Sequence, residues 1–173
     1  MANKCLTDYT LSGITFDCNP NLAGIKDLYI TYYDEVAGKV DESGDTHTIT
    51  ELPSGVTWYR YAFAKNTSAL NSTLTKDDAN GVRYYTNTIS LVFSKMEAYK
   101  HLEVMAMAAE KLAVIVVDNN NKAWYVGFDS YVSASEEEAG TGASFDDRNG
   151  YTVTLEGTSA FLPFEYVGDL PTA

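Results

Sequence analysis

Long apolar runs are missing from this chain of 173 residues. No stretch approaches the ~20 consecutive apolar residues of a membrane-crossing helix, and residues 1–8 lack the apolar run of a secretory signal. The expectation is a protein made and kept in solution, without a membrane partner. Cysteine is scarce as well: Cys5 and Cys18 have 12 residues between them, a spacing that fits neither a zinc motif nor a disulfide-dense small domain. Reduced structural thiols are expected, with a reactive or bridging role as the alternative. Histidine is limited to His47 and His101, and the chain holds no His-x-x-x-His, Gly-x-Ser-x-Gly or Walker pattern. Gly140-Thr141-Gly142 follows three glutamates that would repel a phosphate. We therefore expect no enzyme and no catalytic, cofactor or metal site, although the many carboxylates leave an acidic hydrolase as a remote alternative.

Positive charge is also short. Twelve basic residues face 24 acidic ones, for a net charge of −12. From Asp129 onward there are nine acidic residues against one basic residue, Arg148, a balance of −8. Nucleic-acid binders need clustered Lys and Arg to replace condensed counterions, so tight binding of DNA or RNA is not expected.

What is present is core-forming material in a strand-like pattern. Hydrophobic residues make up 45% of the chain and charged residues 21%, enough to build a sizeable core, and no linker-like segment divides the chain, so residues 1–173 read as one domain. Residues 28–33, 47–52 and 56–65 are rich in β-branched and aromatic side chains and are punctuated by Gly, Pro or Asp, as strands are. The polar stretch 35–45 between them reads as a loop or short edge hairpin. Residues 68–93 read as a long antiparallel hairpin turning at Asn80-Gly81, since Gly accepts a positive φ without steric cost. Its first arm has only Leu70 and Leu74 on a thin apolar face, which suits a strand facing water or a wide pore.

Ser94-Lys95-Met96-Glu97 has the form of a capping box and predicts a helix at about 95–110. Met96, Tyr99, Leu102, Ala106 and Ala109 recur at steps of three and four, the expected core face, with Met105 and Met107 as gap-fillers or subunit contacts. Residues 112–117 form a continuous apolar run, expected as a buried strand. A turn at 118–122 leads into 123–128, a second hairpin. Asp118 to Asn121 looks like a calcium loop only superficially, because Lys122 stands where a ligand is expected and no Glu closes the loop. Residues 130–149 read as a long acidic loop, and 151–157 and 160–167 as the last two strands. The aromatic groups Trp58-Tyr59-Arg60-Tyr61 and Trp124-Tyr125 fit a protein interface or, as the alternative, a sugar-stacking platform.

Three segments resemble the tail tube proteins of tailed bacteriophages, of the kind found in phages of gut Bacteroidetes. They are 84–95 (YYTNTISLVFSK), 112–124 (LAVIVVDNNNKAW) and 140–157 (GTGASFDDRNGYTVTLEG). The resemblance implies a mainly β fold, an antiparallel β-sandwich or barrel flanked by one α-helix. It further implies a virion structural protein that self-assembles into stacked hexameric rings forming a hollow tail tube, an acidic conduit for DNA ejection. The implied partners are other copies of the chain, the sheath or terminator, the tape measure and the baseplate, with DNA passing through unbound. The implied location is the virion tail, assembled in the host bacterial cytoplasm. On that basis the hairpin 68–93 is the candidate lumen lining, and the loop 130–149 the candidate contact with a neighbouring subunit or ring. Another head-tail or decoration protein, or a carbohydrate-binding β-sandwich module, is the alternative.

Overall fold

The apolar run at 112–117 becomes a strand buried on both faces, and the rest of the fold is arranged around it. The computed structural model describes residues 11–43 and 47–172; Cys5 lies outside them. The elements are β1 (Ile25–Tyr32), a one-turn α1 (Tyr33–Val36), β2 (Glu42–Ser43), β3 (Thr48–Ile49), β4 (Tyr59–Ala62), β5 (Ala69–Asp77), β6 (Val82–Ser94), α2 (Ala98–Ala109), β7 (Leu112–Asp118), β8 (Ala123–Val126), β9 (Ser133–Gly140), β10 (Gly150–Ser159) and β11 (Phe164–Tyr166). They form two sheets: a seven-stranded one in the order β2-β3-β11-β8-β7-β1-β4, and a four-stranded one in the order β5-β6-β10-β9. All the pairings are antiparallel except β11 with β3.

The alternation of β7 divides the core in two. Leu112, Val114 and Val116 join Leu28 and Ile30 of β1, Ile89 and Leu91 of β6, and Val153 and Leu155 of β10 in the layer between the sheets. Ala113, Ile115 and Val117 point the other way, where Val36, Val40, Trp58, Tyr125, Phe164 and Tyr166 cover them. The result is a mainly β sandwich with α2 at its flank, whose Val104 and Met107 seal the inter-sheet layer. Each fully buried Val, Leu or Ile contributes roughly 1.5–3 kcal/mol against the entropy of ordering the chain. Asp27, the one buried acid of β1, accepts hydrogen bonds from Nη2 and Nε of Arg60 at 2.9 and 3.2 Å.

The hairpin at 68–93 forms as expected. Its register runs from Ala69 opposite Ser90 to Asp77 opposite Val82, and Gly81 takes φ +65° in the turn. The Asp77 carboxylate accepts the backbone N–H groups of Ala79 and Asn80, which fixes the reversal. Beyond the cross-strand bond from the Ser72 hydroxyl to Asn87 Oδ1 (2.6 Å), residues 73–84 are exposed on both faces. The tip of the hairpin therefore projects from the sandwich.

Three expectations are corrected. The capping box does not form: Ser94 is still paired with Gly150 as the last residue of β6, Lys95 turns the chain at φ +64°, and α2 begins only after an extended Glu97 that makes no side-chain cap. The Met96 N–H is satisfied by Asn149 Oδ1 instead. The helix is also turned relative to the expected stripe, since Tyr99, Leu102 and Met105 are 62–70% exposed while Val104 and Met107 are buried. The third concerns 130–149, which is not a single loop. Ser133–Gly140 adds to the edge of β10, with Glu136 opposite Thr154, Glu138 opposite Thr152 and a bulge at Ser135, leaving 141–149 as the connection. Ser and Glu are weak strand formers, but an edge strand exposed to water on both sides tolerates them, and the charges guard the edge against further pairing. The stretch 35–45 does become a short edge hairpin, β2 with β3, and residues 44–46 lie outside the described ones.

Gly150 is where β10 enters the sheet between Ser94 and Gly140. A Cβ there would collide with the Phe93 carbonyl oxygen, a backbone atom that cannot step aside. Gly150→Ala is expected to cost about 3 kcal/mol, as overpacking does, read as a lower urea midpoint with an unchanged m-value.

Candidate assembly surfaces

Because side chains alternate along a strand, the residues of the four-stranded sheet that do not enter the core share its outer face. On β5 these are Ala69, Asn71, Thr73 and Thr75; on β6, Tyr84, Thr86, Thr88, Ser90 and Val92; on β10, Thr152, Thr154, Glu156 and Thr158; on β9, Ser133, Glu136 and Glu138. The face is thus rich in hydroxyls, with Val92 and Tyr84 as its apolar members and three glutamates at one side. Arg148 reaches its end, donating to the Thr152 hydroxyl at 3.2 Å. The two edges of this sheet differ. β9 carries Glu136, Glu137 and Glu138, whereas β5 from Ala69 to Thr75 carries no charge at all.

The second surface is the outer side of α2, where Tyr99, Leu102 and Met105 line up at steps of three. Its inner side is tied down by polar contacts: the Tyr61 hydroxyl donates to Glu103 Oε2 at 2.7 Å, and burial with that carboxylate pushes the Tyr61 phenol up. At the start of the helix, Glu97 lies 2.8 Å from both Lys100 and Lys95, and these hold its carboxyl down at about 2.

Residues singled out for chemistry are spread apart. His101 bonds the Tyr151 hydroxyl, which also donates to the Glu97 carbonyl at 3.3 Å, so the pair braces α2 against β10. His47 stacks on Phe164 with ring centroids 3.9 Å apart, at the β3-β11 side of the seven-stranded sheet and 54 positions before His101. Asp118 serves its own turn: Oδ1 accepts the N–H groups of Asn120 and Lys122 at 2.8 and 2.9 Å, and Oδ2 accepts Trp124 Nε1–H at 3.1 Å. Asp147 likewise accepts the N–H groups of Ser144 and Ala143, which lowers its pKa and makes it the organiser of 141–149.

Of the aromatic candidates, Trp58 and Tyr125 are buried and meet edge to face at 6.4 Å, while Tyr59 is exposed and stacks edge-on against Tyr32 at 6.3 Å. Cys18 is exposed and free. Among the described residues no group of three or more His, Cys, Asp or Glu could hold a metal ion, and no helix is long and apolar enough to cross a membrane. A cleft of about 740 Å³ is lined by Thr50, Glu51, Trp58, Tyr166 and Asp169 among others. It places Glu51 and Asp169 in one hollow without a histidine, cysteine or lysine beside them.

The chain matches no protein-family model, no curated protein and no solved structure. Its surfaces must therefore speak for its function. The sequence pointed to the hairpin and to an acidic segment, and these lie in one sheet with β10 between them. It did not reveal the exposed side of α2, because the stripe that recurs at steps of three and four places Tyr99 and Leu102 in the core, whereas both are exposed.

Proposed function

We propose that the chain is a non-catalytic virion structural protein that self-assembles into stacked rings, hexameric by resemblance to tail tube proteins, and forms the hollow tail tube of a bacteriophage. The observation that carries this reading is the outer face of the β5-β6-β10-β9 sheet. It is broad, hydroxyl-rich and acidic along one side, where Glu136 and Glu138 stand two residues apart on β9, about 7 Å and so within the ~8 Å screening length of physiological salt, and Glu156 continues the row on β10. Turned toward a lumen, such a face stays wetted and repels duplex DNA, which carries about one charge per 1.7 Å. The apolar side of α2 then faces a neighbouring subunit, since exposed Tyr, Leu and Met in a row mark an interface rather than a water-facing helix.

A sugar-stacking role is disfavoured by the burial of Trp58 and by the Trp124 indole N–H being spent on Asp118. The partners in this reading are further copies of the chain and the other tail proteins, the place is the virion tail, and DNA passes without specific binding.

Negative-stain electron microscopy of the purified protein tests it. Hollow tubes or rings of constant diameter are expected. A monodisperse monomer retained on a glycan column would replace this reading with the binding module, and closed shells or isolated caps with another virion part.

A further inference from the structure

Residues 11–23 run without helix or strand and are exposed throughout. Within them Leu11, Ile14 and Phe16 are at least 90% exposed, an extreme for large apolar side chains. The arm is pinned only at its root. Asn120 accepts the Leu22 N–H at 2.8 Å and donates to Asn21 Oδ1 and the Leu22 carbonyl, and Asn119 donates to the Ala23 carbonyl.

That root forms the rim of an open groove of about 640 Å³ between the two sheets, lined by Leu70 and Ser72 of β5, Val116, Trp124, Leu162 and Pro163. One wall is the edge strand β5, uncharged from Ala69 to Thr75, whose outward backbone groups have no neighbouring strand among the described residues. The arm of the same copy lies at this rim and yet leaves all three apolar side chains in water. Ten extended residues, 11–20, reach about 33 Å, enough to span to a neighbouring molecule.

We propose that this groove is the seat of the same arm from a second copy, with Leu11, Ile14 and Phe16 entering between the sheets and the arm backbone adding to the edge of β5. The proposal rests on the self-assembly reading and names its contact. Charge argues for this occupant: two copies of net charge −12 repel, so their contact has to be apolar, and from Leu11 to Gly24 the arm carries Asp17 as its sole charge. The unequal edges argue the same way, because glutamates guard β9 while β5 is left open.

Two full-length variants test it: an arm variant, L11S/I14S/F16S, and a groove variant, L70E/L162E, with Leu162→Glu alone as the substitute should circular dichroism show the pair unfolded. Sedimentation velocity and the emission of Trp124 are the readouts, Trp58 being buried and constant. Wild type is expected to associate with a concentration-dependent blue shift. Each variant alone is expected to associate at least about 100-fold more weakly, from the loss of several buried apolar side chains. An equimolar mixture is expected to recover a 1:1 complex and the blue shift, because one partner keeps its arm and the other its groove.

Wild-type association by the arm variant, or variants that stay apart when mixed, would overturn the proposal, as would a blue shift in wild type that does not depend on concentration, which means the arm folds into its own groove. Tubes formed by the arm variant would remove this contact and leave the tube reading standing. Arm-dependent complexes without tubes would do the reverse.

Discussion

Ile115→Ala will lower the unfolding free energy by about 3–4 kcal/mol and bring the melting temperature down by roughly 10 °C. Ile115 is fully buried in the middle of β7, opposite Tyr29 of β1 on one side and Tyr125 of β8 on the other, within a layer closed by Val36, Trp58 and Phe164. Truncation removes three carbons from a site whose neighbours are large, rigid or held by two strands, so the cavity cannot collapse. Because β7 belongs to both core layers, loosening one of its faces also disturbs Val114 and Val116 on the other. The control is Leu74→Ala on the projecting part of β5, where the side chain is already half in water; it should change stability by less than about 0.5 kcal/mol. Urea titration of the two side by side decides the matter. Equal losses would mean that the hairpin tip is part of the core, contrary to the arrangement described here.

Much of this fold was legible because its strongest signals are local. The run at 112–117 contains nothing polar, and a strand in that position has to be covered on both faces. The turn at Asn80-Gly81 sets the hairpin register through the positive φ of Gly81 and the Asp77 carboxylate, and the turn at Asp118 does so through one carboxylate. What failed depended on partners distant in sequence. Ser94 has the right neighbours for a helix cap, but its backbone is claimed by Gly150, 56 positions on, and β-pairing outweighs one capping bond of about 1 kcal/mol. Glu136 to Glu138 read as loop because their own preferences are weak; the open edge of β10 makes them a strand. The apolar stripe chosen for α2 was wrong for a related reason. With apolar residues on most sides of the helix, only the position of the gap between the sheets decides that Val104 and Met107 turn inward. As for the candidate surface, the acidity at 136–138 and the polarity of the hairpin were each readable, but their meeting in one sheet was not, since it requires β10 to lie between them.

That meeting gives the second large effect. The triple variant E136K/E138K/E156K is expected to fold with the stability of the wild type while acquiring salt-sensitive affinity for duplex DNA. The three carboxylates lie on the outer face, Glu136 and Glu138 two residues apart on β9 and Glu156 on the adjacent strand β10. Successive same-face residues are about 7 Å apart and neighbouring strands about 4.8 Å; Glu156 stands two residues beyond Thr154, the partner of Glu136, so three lysines would follow one another in a row at steps of about 7–9 Å. The net charge rises from −12 to −6, still acidic overall, and any binding must therefore come from the local patch. Three phosphate contacts predict a slope near −3 in a plot of log affinity against log salt, or roughly a 50-fold loss between 50 and 200 mM. Wild type should show no retention at either concentration. If the face lines a lumen, the variant should still form tubes, because no subunit contact has been changed, and those tubes should hold DNA at 50 mM salt and release it at 200 mM. Loss of tubes with an intact monomer would place the acidic face in a subunit interface instead. Unchanged behaviour toward DNA would mean that the glutamates do not govern what the face repels, and the hydroxyl field alone would have to account for a non-adhesive wall.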